Sequence, residues 1–260
     1  MPELPDLEVF AKNLSKCLKG RPVSEAKVTV VKAADRSAAA IKKLLVGKKL
    51  LRVERHGKQL RFCFEDSIAF FLHQMLHGKL FLTDKKEEVK FPLLALIFDD
   101  GQKLTLSDFQ KKANLHFDAP DSTAPDALSS AVNLSFLRQL VQDRSTPIKK
   151  LLVDQKKIRG IGSAYADEIL WDAGISPFSE SCAIPDEGLR ALSRSIKKVL
   201  RNGIKQIDRL HPGILQGEVR EHMNVHNAER TESADGYPIL KKKDGGRTTY
   251  YTERQKLYTK

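Results

Sequence analysis

The chain has 260 residues, 41% hydrophobic and 30% charged, which is enough for one large or two ordinary domains with buried cores. Its longest apolar stretch, about residues 91–98, is far shorter than the roughly 20 residues that cross a bilayer, so a membrane protein is excluded. The net charge of +12 favours a polyanionic partner, nucleic acid first, although a basic surface that only aids solubility explains it too.

The first predicted element is a helix over 7–18. Leu7, Phe10 and Leu14 recur there at helical spacing, Pro5 suits a first turn, and Gly20 suits the end of the helix. From residue 27 to about 117, short β-type runs alternate with Gly and Asp turns, which is typical of a sandwich or barrel. The predicted strands are 28–31, 50–53, 60–64, 69–72, 80–82, 93–98 and 104–106.

The second half of the chain is predicted to be mainly helical. A stretch rich in Asp, Pro, Ser and Ala at 118–132 has no periodicity and marks a domain boundary. Beyond it the predicted helices are 135–143, 147–153, 164–173, 185–202 and a short one at 217–222, with Gly174 and Gly203 at helix ends. Two β-type runs, 239–243 and 248–251, predict a small terminal hairpin.

The amino terminus carries a candidate nucleophile. Removal of Met1, which a small following residue permits, would leave Pro2 with a secondary amine beside the carboxyl of Glu3. An α-amino group has a reference pKa of about 7.7–8.0, so part of it is unprotonated near neutral pH and can form a Schiff base with a carbonyl. Taken alone, such an opening is more often an ordinary amino terminus.

A second candidate site is the segment before the predicted helix at 164–173. Gly160 and Gly162 permit a turn whose N–H groups, at a helix start, form an anion site that suits phosphate. Lys156, Lys157 and Arg159 add positive charge to this segment. An ordinary helix–helix turn with solvated basic residues explains the same pattern.

Four segments together resemble the formamidopyrimidine-DNA glycosylase and endonuclease VIII family. They are Pro-Glu-Leu-Pro-Asp-Leu-Glu at 2–8, Arg-His-Gly-Lys-Gln-Leu at 55–60, His-Gln-Met-Leu-His-Gly at 73–78 and the stretch 152–170, which Ala-Gly-Ile-Ser-Pro follows at 173–177. They are similar to the family's amino terminus, its strand with a buried active-site lysine, its His-Leu-Gly-Met-Ser-Gly loop and its helix–two-turns–helix signature. Order and spacing agree over nearly the whole chain.

The resemblance implies a base-excision repair enzyme that removes oxidised bases from duplex DNA and flips the damaged nucleotide out of the stack. In the family's mechanism Pro2 attacks C1′, the base leaves, and the resulting Schiff base leads to β- and δ-elimination, which is AP lyase activity. Glu3 would move protons to the opening sugar, and Lys58 would hold the adjacent phosphate or the base. A solvated strand lysine is the plain alternative for Lys58.

The resemblance also assigns DNA contacts. The implied phosphate-binding positions hold His73, Lys156, Gly162, Ser163 and Arg247. A lone histidine at an apolar strand end is otherwise most often a core residue. Ser163 replaces the family's asparagine, and its shorter side chain has fewer donors, which predicts a weaker grip on DNA.

Three other positions correspond to the side chains that fill the hole left by the flipped base. The family has Met, Arg and Phe there, and this chain has Leu76, Gln110 and Lys112. Leu76 can still act as a wedge. Gln110 and Lys112 reproduce neither the bidentate contacts of an arginine nor the stacking of an aromatic ring, so preference for the opposite base is left open.

The family usually ends in a four-cysteine zinc finger, whose frame this chain keeps without the cysteines. The cysteine positions hold Glu232, Asp235, Thr252 and Gln255, and the three cysteines of the chain, Cys17, Cys63 and Cys182, all lie outside this segment. We therefore expect a zincless β-hairpin finger with no metal or other cofactor. Its predicted packing residues are Tyr237, Ile239, Tyr250 and Tyr251, and an oxygen-ligand metal site at Glu232 and Asp235 is the open alternative.

The expected architecture is a two-domain α+β fold. It comprises an N-terminal helix with a catalytic β-sandwich at 1–120, a linker at 121–134, a helical helix–two-turns–helix domain at 135–225 and a zincless finger at 226–260. We expect a monomer that binds double-stranded DNA with oxidised bases or abasic sites. The opening residues lack a secretion signal and the cysteines form no disulfide pattern, so we expect a cytoplasmic protein, nucleoid-associated in a bacterium.

Two other functions remain open at this point. A non-catalytic binder of damaged or abasic DNA with the same fold would explain Ser163 and the changed void-filling positions. A generic nucleic-acid binder, such as an RNA-associated protein, would explain the charge but not the four segments.

Overall fold

The computed structural model of the chain describes residues 1–29, 34–117, 123–244 and 246–260. It divides into two compact units, Met1–Asp121 with Asp208–Glu218 and Ser122–Ile207 with Val219–Lys260, which we call the N-terminal and C-terminal units. Within the described ranges, none of the helices has the length and apolar character that membrane crossing requires.

The N-terminal unit begins with helix α1 (Leu4–Leu18). The backbone N–H of Glu3 donates to the Asp6 carboxylate at 2.9 Å, and Pro5 occupies the first turn, so the start of the helix is fixed by its own side chains. Gly20 follows the helix with φ +83°, a conformation that favours glycine. The predicted helix is thus confirmed and begins one turn earlier.

Eight strands form two antiparallel sheets in this unit. One sheet has the order β1-β6-β7-β5 and the other β2-β3-β4-β8. The strands are β1 (Val23–Val28), β2 (Leu50–His56), β3 (Gln59–Phe64), β4 (Ala69–His73), β5 (Lys79–Asp84), β6 (Pro92–Phe98), β7 (Gln102–Ser107) and β8 (Asn114–His116). One apolar core unites both sheets with α1 and with helix α2 (Ala38–Leu45), which makes the unit a β-sandwich with flanking helices.

Six of the predicted strands are confirmed, and three details of the prediction are wrong. The predicted strand at 28–31 begins earlier, as β1, and its residues 30 and 31 lie outside the described part of the chain. Helix α2 and strand β8 were not predicted. Their length explains this, because eight and three residues are too few for a clear periodic pattern.

The C-terminal unit is mainly helical, as predicted. Its elements are α3 (Leu134–Val141), α4 (Ile148–Val153), α5 (Ser163–Asp172), a short 3₁₀ helix (Ser181–Ala183), α6 (Asp186–Leu210), which continues into the N-terminal unit, and the hairpin of β9 (Leu240–Asp244) and β10 (Arg247–Tyr251). The expected two-domain α+β fold class is therefore confirmed.

One predicted helix end and one predicted helix in this unit are wrong. Gly203 lies inside α6 rather than at its end, because a Cβ there would come within 2.6 Å of the Tyr165 hydroxyl oxygen, so glycine serves close packing. The predicted helix at 217–222 is absent from this described segment. Gly217 has φ +98°, which a helix does not allow.

Candidate active site and nucleic-acid interface

The two residues expected to carry the chemistry lie at the start of α1. Pro2 and Glu3 are both buried, with Glu3 5% exposed, and Glu3 is the N-cap of the helix. The amino group of Met1 forms an ion pair with Glu218. While Met1 is present, the Pro2 nitrogen is part of a peptide bond, so the proposed nucleophile requires removal of Met1.

Lys58 lies in the turn between β2 and β3. Gly57 precedes it with φ +59°, and His56 pairs with Gln59, so the two central residues close a tight hairpin with glycine first. Lys58 is half-buried. The family segment that this one resembles bears a buried lysine on a strand, whereas Lys58 is half-buried in the turn that joins β2 to β3.

A buried arginine ties this turn to α1. Arg55 is 8% exposed and donates from Nε to the Glu8 carboxylate of α1 at 2.6 Å. Its guanidinium also donates to the carbonyl oxygen of Gly57 at 3.3 Å. The helix that begins with the candidate nucleophile and the turn that carries Lys58 are thus held by one side chain. No local pattern in the sequence indicates this contact, because its partners are 47 positions apart.

His73 is neutral and oriented. Its Nδ1 accepts from the backbone N–H of Met75 at 2.9 Å, so the neutral ring carries its proton on Nε2. Burial lowers the pKa of His73, and the positive charges of Lys58 and His116 lower it further. His73 can therefore donate to a phosphate oxygen without adding charge, and its electrostatic coupling to Lys58 places the two side chains in one neighbourhood.

The three void-filling candidates lie on two loops of the N-terminal unit and point to solvent. Leu76, between β4 and β5, is 63% exposed, and Gln110 and Lys112, between β7 and β8, are exposed as well. Beneath Leu76, the side chain of Gln74 is only 2% exposed, and neither atom of its amide has a hydrogen-bond partner in the described part of the chain. This buried polar group was not anticipated, since the aligned family position is leucine.

Gln155 organises the two-turn segment. Its amide donates to the carbonyls of Val153 and Ile161 at 2.9 and 2.8 Å and accepts from the Gly160 N–H at 2.9 Å. Gly160 has φ +103°, which explains the glycine, whereas Gly162, the N-cap of α5, has φ −116°, which other residues adopt.

The basic residues of this segment have different environments. Lys156 is exposed, as a phosphate contact requires. Arg159 instead donates from Nε to the carbonyl oxygen of Ala124 at 2.7 Å. This bond braces the segment before α3 and leaves the positive charge of the guanidinium beside the two-turn segment, so the contribution of Arg159 to a phosphate site stays a prediction.

Ser163 and Arg247 line one cavity of about 300 Å³ in the C-terminal unit. Lys149 and Lys150 of α4 line it too, which makes it strongly basic, and the remaining lining residues are Pro147, Val153, Pro177, Phe178 and Thr249. The two lysines were not singled out from the sequence. The Ser163 hydroxyl oxygen is buried and has no partner among the described residues, so donation to a ligand in the cavity needs a change of rotamer.

Asp167 anchors the hairpin on α5. It is fully buried and ion-paired with Lys149 at 2.7 Å, and its carboxylate also contacts His226 Nδ1 at 2.7 Å. The backbone N–H of Tyr250 in β10 donates to it at 3.0 Å. A second link runs from Lys149 to the Thr249 hydroxyl at 2.8 Å. One carboxylate thus joins α4, α5 and the strand that begins with Arg247.

Glu168 anchors the segment that leads into the hairpin to helix α5. It is 3% exposed and accepts from the backbone N–H groups of Asn224, Val225 and His226 at 2.7–2.9 Å, and from the Asn224 amide at 3.0 Å. A carboxylate with this many donors fixes the backbone around it. Asp167 and Glu168 stand in the quoted signature, but their roles were not predicted.

Two of the four missing-cysteine positions, Asp235 and Gln255, hold side chains that are hydrogen-bonded within the C-terminal unit. Asp235 is ion-paired with Arg254 and accepts from the Ser233 hydroxyl at 2.5 Å. Gln255 accepts from the Thr252 N–H and donates to the carbonyl of Ile175, both at 2.8 Å. The Asp235 carboxylate and the Gln255 amide are thus engaged, the buried Thr252 hydroxyl has no partner among the described residues, and Glu232 is exposed. These four positions supply no thiolate, and the positive guanidinium of Arg254 lies beside the Asp235 carboxylate, so the set does not fit a zinc ion.

The packing of the hairpin matches the prediction in part. Tyr250 contacts the ring of His226 with centroids 4.5 Å apart, and Tyr251 meets Phe178 edge to face at 5.0 Å. Ile239 is half-buried. Tyr237 is 44% exposed, so its predicted packing role is wrong.

Comparison with known proteins supports this architecture. The family model of the formamidopyrimidine-DNA glycosylase N-terminal domain matches residues 1–115, and the family model of the H2TH domain of the same enzyme matches residues 123–210. Formamidopyrimidine-DNA glycosylase of Chloroflexus aurantiacus is 30% identical over 241 residues, which are 87% of each chain. The Lactobacillus gasseri enzyme is 28% identical over 221 residues, 79% of this chain and 78% of the relative.

Solved structures of formamidopyrimidine-DNA glycosylases have the same fold as this chain. The Lactococcus lactis Fpg in a complex with DNA that contains an oxidised pyrimidine is 25% identical, with a TM-score of 0.86 over 96% of this chain and 98% of that chain. A complex of the same enzyme with DNA that contains an abasic site has a TM-score of 0.87 at 24% identity, over 98% of this chain and 100% of that one. The two matching family models and the named relatives make this chain a DNA glycosylase. The chain belongs to the formamidopyrimidine-DNA glycosylase family.

Proposed function

We propose that the protein is a bifunctional DNA glycosylase and AP lyase of base-excision repair, which acts on duplex DNA with oxidised bases or abasic sites. The observation that carries this proposal is the bracing of α1 to the Lys58 turn by Arg55, with neutral His73 in the electrostatic reach of Lys58. This arrangement places the amino terminus, the Lys58 ammonium and the neutral imidazole of His73 in the N-terminal unit. Solved relatives bound to DNA with an abasic site or an oxidised pyrimidine support the substrate class.

The chemistry begins at the Pro2 nitrogen after Met1 has been removed. Its lone pair attacks C1′ of the damaged nucleotide, the bond from C1′ to the base breaks, and the base leaves with a proton. The ring then opens to an iminium ion, which acidifies the neighbouring carbon so that the 3′ phosphate leaves by β-elimination, and a second elimination releases the 5′ phosphate. Glu3 moves the protons, and Lys58 and His73 hold phosphate oxygens.

The C-terminal unit supplies the grip on DNA in this proposal. Lys156, the N–H of Gly162 at the start of α5, Ser163 and Arg247 bind phosphates, and the basic cavity lined by Lys149 adds a further contact. For the division of work we propose the boundaries predicted from the sequence: residues 1–120 carry out catalysis, 121–134 link, 135–225 bind DNA, and 226–260 form the finger. The protein acts as a monomer in the cytoplasm.

We further propose that the finger functions without zinc or any other cofactor. Of the four positions where the family's cysteines would stand, Asp235 is ion-paired with Arg254, and the Gln255 amide accepts from the backbone N–H of Thr252. In the described ranges, no group of three or more His, Cys, Asp or Glu side chains is arranged to hold a metal. A chelator should therefore leave activity unchanged, and activity lost to a chelator and restored by zinc would overturn this point.

The test of the proposed function is strand cleavage by Pro2→Gly on a duplex with an abasic site. We expect cutting to slow markedly rather than stop, since glycine replaces the ring-held secondary amine with a flexible primary amine that can still form a Schiff base. Pro5→Ala is the matched control, because Pro5 lies in the first turn of α1 and should leave cutting unchanged. Mass spectrometry of the intact protein shows in the same preparation whether Met1 has been removed. Full cutting by Pro2→Gly would contradict the assignment.

A second function, non-catalytic binding of damaged or abasic DNA, is favoured by one observation. In the full chain Pro2 is buried and Met1 is held by Glu218. If Met1 is retained in the cell, the fold still binds DNA and Pro2 has no free amine. Retained Met1, lesion binding and no base release from any oxidised substrate together would establish this alternative.

A further inference from the structure

The loop between β7 and β8 has a rigid backbone. Asp108 is 1% exposed, and its carboxylate accepts from the N–H groups of Gln110, Lys112 and Ala113 at 2.8–2.9 Å. Although burial acts to raise it, the pKa of Asp108 is lowered by these backbone donors, so the carboxylate is held ionised. Lys111 has φ +56°. The loop therefore presents its side chains from a fixed frame rather than from a mobile tip.

Phe109 is the large apolar side chain that this loop exposes to solvent. It is 57% exposed and packs against His77 of the neighbouring loop, with ring centroids 4.8 Å apart. Leu76, beside His77, is 63% exposed, and Met75 before it has φ +54°. Two rigid loops thus bring an isobutyl group, an imidazole and a phenyl ring together at the surface, and we call these residues the Leu76–His77–Phe109 cluster.

Such a cluster has a specific use on a DNA-binding protein. Exposed apolar residues standing alone are ordinary, but a projecting group formed by two loops that are fixed by hydrogen bonds is a surface built for contact. Phe and Leu side chains enter base steps as wedges, and aromatic rings stack on any base because every base has a π face. Exposed Lys112 in the same loop adds a charge that suits a phosphate.

We infer that Phe109, supported by His77, is the aromatic residue that stacks on the base exposed when the damaged nucleotide leaves the duplex, while Leu76 enters the vacated space. This rests on the proposed function and places the aromatic contact at Phe109 rather than at Lys112, the position that aligns with the family's phenylalanine and cannot stack. Gln110 and Lys112 then lie beside the stack rather than in it. Because a phenyl ring reads no base edge, the stacking contact should discriminate little between opposite bases.

Fluorescence tests stacking independently of catalysis. The chain has a single tryptophan, so Phe109→Trp adds one indole whose signal is obtained by subtraction of the wild-type spectrum. Binding of a duplex with a non-cleavable abasic analogue should quench this indole. Phe91→Trp is the matched control, since Phe91 is 58% exposed and lines the same groove as Phe109. Equal emission of Phe109→Trp with and without the duplex would overturn the inference.

Kinetics separate the inference from the proposed function. Phe109→Ala should lower kcat/KM on duplex DNA with an abasic site by roughly 5- to 150-fold, the range for loss of one base–aromatic contact. It should leave cutting of a single-stranded abasic oligonucleotide unchanged, because no stack needs to be filled there. Phe91→Ala should match the wild type on both, and Lys112→Ala should lose far less than Phe109→Ala.

Each remaining outcome has a distinct meaning. An unchanged duplex rate in Phe109→Ala, with an active wild type, would contradict the stacking role. Equal losses on duplex and single strand would show that Phe109 only supports the fold. No cutting of either substrate by the wild type would contradict the proposed function, and the fluorescence result would still decide whether Phe109 stacks.

Discussion

The finger of the C-terminal unit and the paired loops of the N-terminal unit both depart from the family's usual side chains, but in opposite ways. In the finger, polar side chains at two of the missing-cysteine positions bind neighbouring residues, as Asp235 binds Arg254 and Gln255 binds the Thr252 N–H. In the loops, the backbone frame around Asp108 is intact, whereas Phe109 projects into solvent and the amide of Gln74 is buried without a described partner.

This difference separates a structural task from a binding task. The finger must keep Arg247 in place, and any network that fixes the hairpin meets that need. The loops must present groups that find their partners in DNA, so they keep exposed apolar surface and unsatisfied polar groups in the free protein. Changes in the finger should therefore affect stability and binding together, and changes in the loops should affect them separately.

The largest effect is expected for Asp167→Asn, which breaks the anchor of the finger. Lys149 is 12% exposed and would lose its counter-charge, and removal of one partner of a buried pair costs about 3–5 kcal/mol. DNA affinity should fall as well, because β10 carries Arg247. Urea denaturation and binding titrations measure both. Asp186→Asn, in an exposed pair with Arg138, is the control and should cost less than about 1 kcal/mol. Equal losses in the two variants would contradict the anchor.

The next effect concerns pH and the segment that enters the finger. Burial, with help from Arg220, lowers the pKa of His222 to about 4, and its Nε2 lies 3.1 Å from the Tyr165 hydroxyl. The unfolded chain then takes up a proton near pH 6.5 and the folded chain only near pH 4. The free energy of unfolding should therefore decrease as the pH falls through this window, by up to about 3 kcal/mol.

The control for this pH effect is His222→Gln, which keeps an amide near Tyr165 and does not titrate. Its stability should depend less on pH between 6.5 and 4 than that of the wild type. His73, whose pKa is also lowered, contributes in the same direction and remains in both proteins. Identical pH profiles of the two proteins would show that His222 is not a source of the dependence.

A smaller effect of opposite sign is expected in the loops. Gln74→Leu removes a buried amide that has no described partner and should raise the free energy of unfolding by about 1–3 kcal/mol. Gln110→Leu, on the exposed neighbouring loop, should change it by less than about 0.5 kcal/mol. Thermal denaturation of both variants compares them. Destabilisation by Gln74→Leu would mean that the amide has a partner when folded.

The smallest effect is expected at the finger's surface. Arg254→Ala removes the ion pair with Asp235, whose side chains are 45% and 26% exposed, and should cost about 0.2–1 kcal/mol. Thermal unfolding with and without a chelator measures it. A stabilisation of the wild type by added zinc, abolished in Asp235→Ala, would show instead that this position binds metal.

Much of the fold could be predicted from the sequence, and the failures have physical causes. The strands of the sandwich carry period-two or continuous apolar patterns, so six of them were found, whereas α2 and β8 are too short for a pattern. Gly203 was placed at a helix end because glycine usually breaks helices, but its close approach to Tyr165 is a tertiary contact. Such contacts leave no local signal.

The sequence predicted those parts of the site that lie in recognisable motifs. Motifs located Pro2, Lys58 and Arg247, but not the contacts that position them. Arg55, Asp167 and Glu168 stand in or beside the same motifs, and their roles depend on partners 47 to 83 positions away. Phe109 was overlooked because alignment by position favours the aligned residue over its neighbour, and only side-chain exposure distinguishes them.

The most direct test of the central claim is borohydride trapping of the wild-type protein on a duplex with an abasic site, followed by peptide mapping of the adduct. A Schiff base on the amino terminus predicts a covalent adduct on Pro2, in a peptide that lacks Met1, and with Pro2→Gly a weaker adduct on the new terminal residue. An adduct on a lysine such as Lys58, or none at all despite measurable binding, would contradict the account.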